Sequence, residues 1–208
     1  MEAVLERKKS KPLSTNGFKS LKNGVPHGIR WTVDEYYKMY DAGLFQGRRV
    51  QLIGGEIIEM APMGTPHSTA IRLVLACLKG IFGDGFLIDS QLPLRLGKQD
   101  EPEPDIYVVK GEIRDFLDNH PITATLVVEI ADSSLKFDRG RKVALYAENH
   151  IAEYWIVNFE ERQLEVYRKP SGEGGSANYA EKIVVSENDS IAPLSMPKSK
   201  IKVADMLP

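Results

Sequence analysis

The sequence predicts one mixed α/β domain, with a central sheet of roughly five to seven strands flanked by helices. Two observations indicate this fold class. Three segments place apolar residues at helical spacing, and short runs rich in β-branched residues lie between and after them. The helices and strands do not alternate regularly, and the glycine signatures of dinucleotide-binding and P-loop proteins are absent from the sequence, which argues against both of those folds.

Local signals mark the elements of the first half. Thr32 and Glu35 form a capping box that begins a helix, and Gly54-Gly55 between two short apolar runs predicts a β-hairpin. Thr65, followed by a proline, is the expected N-cap of a long amphipathic helix. In chain order, the predicted elements are a helix over residues 32–42, strands over 49–53 and 56–60, a helix ending near residue 82, and extended chain over 86–96.

The second half is richer in strands. Pro104 stands where a strand tolerates proline, at its beginning. Residues 125–131 are almost continuously apolar and β-branched, which is typical of a central strand covered on both faces. The predicted elements here are strands over residues 105–109 and 125–131, a helix over 137–149, strands over 153–159 and 163–168, a loop over 170–178, and a further strand over 181–185.

The composition is that of a globular protein. Of the 208 residues, 42% are hydrophobic and 27% are charged, and the net charge is −2, which excludes a protein that coats nucleic acid through overall positive charge. One cysteine, Cys77, and four scattered histidines argue against a disulfide framework and a zinc site. Without a membrane-length apolar run or a signal-peptide pattern, a cytoplasmic protein with no membrane partner is expected.

Residues 1–29 differ from the rest of the chain in charge. They contain six Lys or Arg residues and only two acidic residues. We therefore predict a flexible basic tail over residues 1–29 and a single domain over residues 30–208. A basic arm that contacts nucleic acid is the alternative interpretation of this segment.

Glu129 is the most informative single residue, because it interrupts the apolar run TLVVEIA. A carboxylate on a buried strand is costly unless it is paired or bound to a metal, so an internal salt bridge and a functional site are both open interpretations. Asp105 begins another predicted strand, where a turn-capping role is the simplest interpretation. If the two strands are adjacent, their carboxylates can come close enough to share Mg²⁺, which favours carboxylate, water and phosphate oxygens.

Lys142 lies on the helix after Glu129, in one stripe with Asp138 and Tyr146. It is either half of a weak surface pair with Asp138, or a lysine directed at a phosphate, where it would stabilise developing charge.

Four further polar residues are candidates for the same site. Glu56 follows the Gly-Gly turn, where it is either a solvent-facing hairpin residue or a third carboxylate of the site. Glu59 faces away from Glu56 by strand alternation and ranks lower. His67 lies in the first turn of the long helix, as a capping or packing residue or as a general base. Gln91 is either a solvated residue or part of the cleft wall.

Several motifs together resemble a known family. They are PEPDI (102–106), VVEIADSS (127–134), an Asp, Lys and Tyr at 138, 142 and 146, and EYWIVN (153–158), with QLIGGEIIEM (51–60) and PHSTAI (66–71) upstream. This pattern resembles the Uma-two-type restriction endonuclease family, a branch of the PD-(D/E)XK nuclease superfamily, over residues 31–168. The resemblance implies a restriction-endonuclease-like mixed central sheet flanked by helices.

The resemblance also implies roles for individual residues. Asp105 takes the place of the motif's aspartate, and Glu129 takes the place of its second acid. Ala131 stands where the motif lysine is expected, and Lys142 on the following helix fits the shifted lysine. Glu56 fits the upstream acid. The chain departs from the family at Gln51, where a glutamate is frequent, and at Gly54, where an aspartate is frequent.

The implied activity is Mg²⁺-dependent hydrolysis of DNA phosphodiester bonds by an endonuclease, with Mn²⁺ as an alternative cation and with a homodimer as the expected assembly. Asp105, Glu129 and the Ile130 carbonyl would hold the metal, Lys142 and Glu56 would complete the catalytic set, and His67, Gln91 and Tyr146 would be accessory residues. Two alternatives stay open. The chain is a catalytically silent binding or scaffold protein with a nuclease fold, or an unrelated metal hydrolase that acts on small phosphoesters.

Overall fold

A computed structural model describes residues 28–208, so most of the predicted basic tail lies outside the described residues. The helices are α1 (Val33–Asp41), α2 (Thr65–Ile81), α3 (Leu135–Phe137), a π turn (Asp138–Lys142) and α4 (Val143–Glu148). The strands are β1 (Val50–Ile53), β2 (Glu56–Glu59), β3 (Phe86–Asp89), β4 (Ile106–Lys110), β5 (Leu126–Ala131), β6 (Glu153–Asn158), β7 (Gln163–Ser171), β8 (Asn178–Ser186), β9 (Ser190–Ile191) and β10 (Ile201–Lys202). Short 3₁₀ helices cover Ile113–Phe116, Gly174–Ser176 and Val203–Met206.

Six strands form the main sheet in the order β3-β4-β5-β6-β7-β8. β5 and β6 are parallel, and every other neighbouring pair in this sheet is antiparallel. All six residues of β5 are buried, as expected for a central strand covered on both faces. The prediction of a mixed α and β fold on a central sheet of five to seven strands is confirmed.

Helix α2 covers one face of this sheet. Its apolar stripe, which includes Val74 and Leu78, packs against Val128 of β5 and Trp155 of β6, and all four side chains are fully buried. Burying each such side chain stabilises the fold by about 1.5–3 kcal/mol before the entropy cost of ordering is counted. The helical spacing of the sequence therefore predicts the face that α2 buries.

The π turn and α4 cover the opposite face. Tyr146 of α4 packs with Val127 of β5 and with Tyr154 of β6. Alternation along β5 places Glu129 on the same face as Val127, beneath the helix and not in solvent. The one acid of the central strand is thus directed toward a helix that can supply polar partners.

The hairpin of β1 and β2 lies apart from the main sheet as its own two-stranded sheet. The capping box of Thr32 and Glu35 begins α1 as predicted. A Cβ atom at Gly55 would lie 2.8 Å from Cβ of Arg30, and φ at Gly55 is +71°. The turn therefore requires glycine both for its left-handed backbone and for the close approach of the preceding chain.

Three local expectations are wrong. Gly64, and not Thr65, is the N-cap of α2, and only Phe86–Asp89 of the predicted extended chain over 86–96 is a strand. The predicted loop over 170–178 is shorter, because β7 continues to Ser171. Pairing with β6 ends at Arg168, so Pro170 has a strand neighbour on one side only and its missing N–H is tolerated.

Within residues 28–208, no helix has the length and apolarity that a bilayer crossing needs.

Candidate active site

A cavity of about 260 Å³ opens between the hairpin, the beginning of α2 and the π turn. It brings together most of the residues that the sequence singled out. Its polar lining comprises Arg49, Gln51, Glu59, His67, Gln91, Asp105, Glu129, Asp132, Ser133, Ser134, Asp138 and Lys142, and its apolar lining comprises Ile58, residues 60–63 and Phe137.

Asp105 and Glu129 face each other across the boundary between β4 and β5. Ile106 pairs with Val128 in the antiparallel register, so the preceding position on one strand lies opposite the following position on the other. The backbone N–H of Asp105 lies 3.4 Å from Oε2 of Glu129. The N–H of Ile130 donates at 2.8 Å to Oδ2 of Asp105. Strand register thus places the two carboxyl groups side by side.

Glu129 is 2% exposed and has two close partners. Nζ of Lys142 lies 2.7 Å from its Oε1, and the hydroxyl of Tyr146 donates to the same oxygen at 2.7 Å. Burial raises the pKa of Glu129 to about 7, and Lys142 limits that rise. The internal salt bridge considered for Glu129 therefore exists, and its carboxylate also borders the cavity. These two interpretations are compatible.

Lys142 is buried with Asp138, and their Nζ and Oδ1 atoms are 3.7 Å apart. The interpretation of these residues as a weak surface pair is therefore wrong. Burial lowers the pKa of Lys142, but the charges of Glu129, Asp138 and Asp105 outweigh it and the net pKa is raised. The lysine is thus an ammonium ion held among three carboxyl groups, directly beside the cavity.

Two arginines anchor the π turn that carries Lys142. Arg139 donates through Nε at 2.8 Å to the buried carboxylate of Glu165 on β7. Arg141 donates to the Ile53 carbonyl of β1 and to Glu56 of β2. The wider turn of a π helix is frequent at functional sites, and here it is fastened on one side to the main sheet and on the other to the hairpin.

His67 contacts Asp105 from the first turn of α2. Its Nε2 lies 3.0 Å from Oδ1 of Asp105, and its Nδ1 lies 3.8 Å from Oδ2 of Asp132. Burial lowers the pKa of His67, but the hydrogen bond and charge of Asp105 outweigh it, so the net pKa is raised. Burial raises the pKa of Asp105, whereas His67 and Lys142 bring it below its ordinary value. His67 therefore stabilises Asp105 as a carboxylate.

Glu56 lies outside this cavity, contrary to the prediction that it supplies a third carboxylate. It is 43% exposed and pairs with Arg30 and Arg141. The rise of a strand separates the two ends of β2 by about 10 Å, and the cavity borders the end away from the turn. Glu59, which ranked lower, and Gln51 line the cavity instead.

Gln91 reaches the cavity wall as expected for an accessory residue. It adopts a left-handed backbone with φ of +56°, and its Nε2 lies 3.7 Å from Sδ of Met63. Sequence reasoning did not select Asp132 for this site. Strand alternation would place Asp132, three residues after Glu129, on the opposite face, so the sequence offered no local signal for it.

The described residues contain two facing carboxylates but no preformed cage of metal ligands. No group of three or more His, Cys, Asp or Glu side chains in residues 28–208 is placed to hold a metal ion. The chemistry that the arrangement offers is therefore that of a carboxylate pair with an adjacent ammonium ion and an adjacent imidazole.

Comparisons with known proteins agree with this architecture. The family model named Uma2 and described as "putative restriction endonuclease" matches residues 33–204. A solved structure described as a "putative nuclease belonging to DUF820 from Anabaena variabilis ATCC 29413" is similar, with a TM-score of 0.66 and 17% identity. The match covers 84% of this chain and 96% of that chain, and at this identity it shows a shared fold. No curated protein matches.

Proposed function

The chain belongs to the Uma2 family, described as "putative restriction endonuclease", and we propose that it is a Mg²⁺-dependent endonuclease that hydrolyses DNA phosphodiester bonds. Family membership supports nuclease function. The observation that carries the finer proposal is the meeting of Asp105, Glu129 and Lys142 in one cavity. The two carboxylates supply oxygen ligands for a divalent metal ion, and the lysine ammonium supplies a positive charge beside them. Metal-assisted phosphodiester hydrolysis uses both.

The residues at the cavity fit a hard divalent cation. Asp105 and Glu129 line the cavity, and together with the backbone carbonyl of Ile130, a residue outside that lining, they would hold it through oxygen atoms alone. Mg²⁺ is commonly bound through one or two carboxylates, with water and substrate phosphate completing its coordination, so two acids suffice where no larger cage exists. Mn²⁺ is accepted by similar oxygen ligands. When bound, the cation supplies Lewis-acid stabilisation of the phosphate and lowers the pKa of an attacking water.

Each side chain of the site has a role in this proposal. Lys142 places a fixed positive charge beside the acids, where negative charge develops on a phosphate. His67 keeps Asp105 ionised, and Tyr146 orients Glu129 through the hydrogen bond to Oε1.

DNA is the proposed partner, although the overall charge of the chain does not attract a polyanion. With a net charge of −2, attraction must come from the bound cation, Lys142 and the cationic residues of the segment 1–29. We further propose a cytoplasmic homodimer, since two copies would present two such sites to the two strands of a duplex. Size-exclusion chromatography with light scattering tests this assembly, and a monomeric mass would contradict it.

Gln51 favours a second candidate function, a catalytically silent binding protein with a nuclease fold. Its side chain occupies the cavity wall at 3% exposure, where an acid would have added a third carboxylate. If that acid were essential, the protein would still fold and bind partners but would not cleave DNA.

Plasmid nicking with Mg²⁺ or Mn²⁺ tests the proposal. Glu129→Gln and Asp105→Asn should abolish cleavage while circular dichroism and thermal melting show a folded protein. Glu148→Gln, which alters an exposed acid at the end of α4, is the matched control and should cleave like the wild type.

Three outcomes would contradict the proposed activity. A wild type that cleaves no DNA and binds no divalent cation by calorimetry would support the silent binding protein. Cleavage that survives in both carboxylate variants would place the chemistry elsewhere. Turnover of a small phosphodiester without affinity for DNA would favour a hydrolase of small phosphoesters.

A further inference from the structure

The side chain of Gln51 is held at one end and free at the other. Its Oε1 accepts a hydrogen bond of 3.2 Å from the backbone N–H of Glu103. Because an N–H needs an acceptor, this contact identifies the oxygen and leaves the NH₂ group as the other end of the amide. Nε2 donates no hydrogen bond to any of residues 28–208.

The free NH₂ group borders the cavity. Gln51 is 3% exposed and is part of the cavity lining, and its Nε2 is not among the buried polar atoms that are sealed from solvent without a partner. A nearly buried donor that reaches an open cavity needs water or a ligand to accept its hydrogens. The structure therefore presents one donor to whatever occupies the cavity.

The position of Gln51 relates this donor to the acidic pair. Leu52 forms an isolated bridge with Glu101, and Gln51 contacts Glu103, two residues before Asp105. The amide therefore contacts the chain segment that leads to Asp105, and Gln51 lines the same cavity as Asp105, Glu129 and Lys142. A ligand bound at the acidic pair shares this cavity with a neutral donor and a cationic one.

We infer that Gln51 is a substrate-binding residue, whose Nε2 donates a hydrogen bond to a non-bridging oxygen of the phosphodiester bound at the acidic pair. This inference rests on the proposed function and specifies how that site recognises its substrate. A phosphate oxygen carries the negative charge that strengthens such a hydrogen bond. A carboxylate at the same position would repel the phosphate.

The competing interpretation of Gln51 is that of a lost metal ligand. The two interpretations predict opposite effects for Gln51→Glu, which replaces one NH₂ group by an oxygen and leaves an acceptor for the Glu103 N–H. As a donor to phosphate, position 51 loses substrate affinity in this variant. As a lost ligand, position 51 gains cation affinity and cleavage.

The test combines DNA binding in the presence of a divalent cation with steady-state kinetics. Fluorescence anisotropy with Ca²⁺ in place of Mg²⁺, a hard cation that takes the same oxygen ligands, measures binding of a labelled DNA duplex, and Gln51→Glu should weaken it by about 10- to 100-fold, the range for a hydrogen bond to a charged group. The KM for cleavage with Mg²⁺ should rise by a similar factor, and kcat should change less. Gln99→Glu adds the same charge on an exposed loop outside the cavity and should bind like the wild type.

Specific results would overturn the inference. In a wild type that cleaves DNA, unchanged or tighter binding by a folded Gln51→Glu variant would refute the inference and leave the proposed function intact. Equal losses in Gln51→Glu and Gln99→Glu would refute it as well, because they would show a general charge effect. A wild type with neither DNA binding nor cleavage would overturn the proposed function and this inference together.

Discussion

Nζ of Lys142 lies 2.7 Å from Oε1 of Glu129, although the first residue belongs to a π turn and the second to the central strand of the sheet. Both side chains are almost fully buried. A buried ion pair is weak evidence for added stability, because removing two charges from water offsets much of their attraction. We therefore relate the buried pair of Lys142 and Glu129 to the proposed site, since both residues line the same cavity as Asp105.

The first prediction concerns stability. Lys142→Met should lower the free energy of unfolding by about 3–5 kcal/mol at pH 8, because Glu129 is left as an unpaired buried carboxylate. Without the ammonium ion, burial raises the folded-state pKa of Glu129 further above its unfolded value. A carboxyl whose pKa is raised on folding loses stability as pH rises above the unfolded pKa, so the deficit should be smaller at pH 5.

Urea denaturation at both pH values checks this prediction. Lys136→Met, at an exposed position of the neighbouring α3, is the control and should unfold like the wild type. An equal deficit of Lys142→Met at pH 5 and pH 8 would show that Glu129 does not respond to the loss of the lysine.

The second prediction concerns the pH dependence of divalent binding. In the proposed site Glu129 must be ionised to hold a cation, and its pKa is about 7. A cation competes with the proton below that pH, so Mg²⁺ affinity should be about tenfold lower at pH 6 than at pH 8. Isothermal titration calorimetry at the two pH values measures this ratio, and a flat profile over this range would exclude Glu129 as the titrating ligand.

The third prediction concerns His67. His67→Gln should raise the pKa of Asp105, because the imidazole contributes to holding that carboxyl below its ordinary range. The carboxyl carbon shift of Asp105 in NMR titrations measures this change. Cleavage should fall by about 10- to 100-fold, as for other groups that orient metal-binding side chains. His120→Gln, at an exposed position, should leave both measurements at their wild-type values.

The fourth prediction separates Glu56 from the acidic pair. Glu56→Gln should bind Mg²⁺ like the wild type, because its carboxylate pairs with Arg30 and Arg141 outside the cavity. The same calorimetric titration on Glu129→Gln should show affinity reduced by more than about 100-fold. An equal loss of Mg²⁺ affinity in Glu56→Gln would show that Glu56 takes part in binding the cation.

Much of the fold follows from local features of the sequence. Caps, glycine turns and the spacing of apolar residues act over a few neighbouring positions, so α1, the hairpin, α2 and the central strand could be predicted from them. The unusual acid of β5 was identifiable for the same reason, because a carboxylate within an apolar β-branched run is costly in any tertiary arrangement.

The composition of the site was decided by contacts between distant parts of the chain. Strand register puts Asp105 opposite Glu129, and the π turn directs Lys142 inward through anchors on β7 and the hairpin. Packing of that hairpin places Gln51 in the cavity and Glu56 outside it. The sequence by itself determined which residues are costly to bury. Only the tertiary structure decided which of them meet, because register and long-range ion pairs leave no local pattern in the chain.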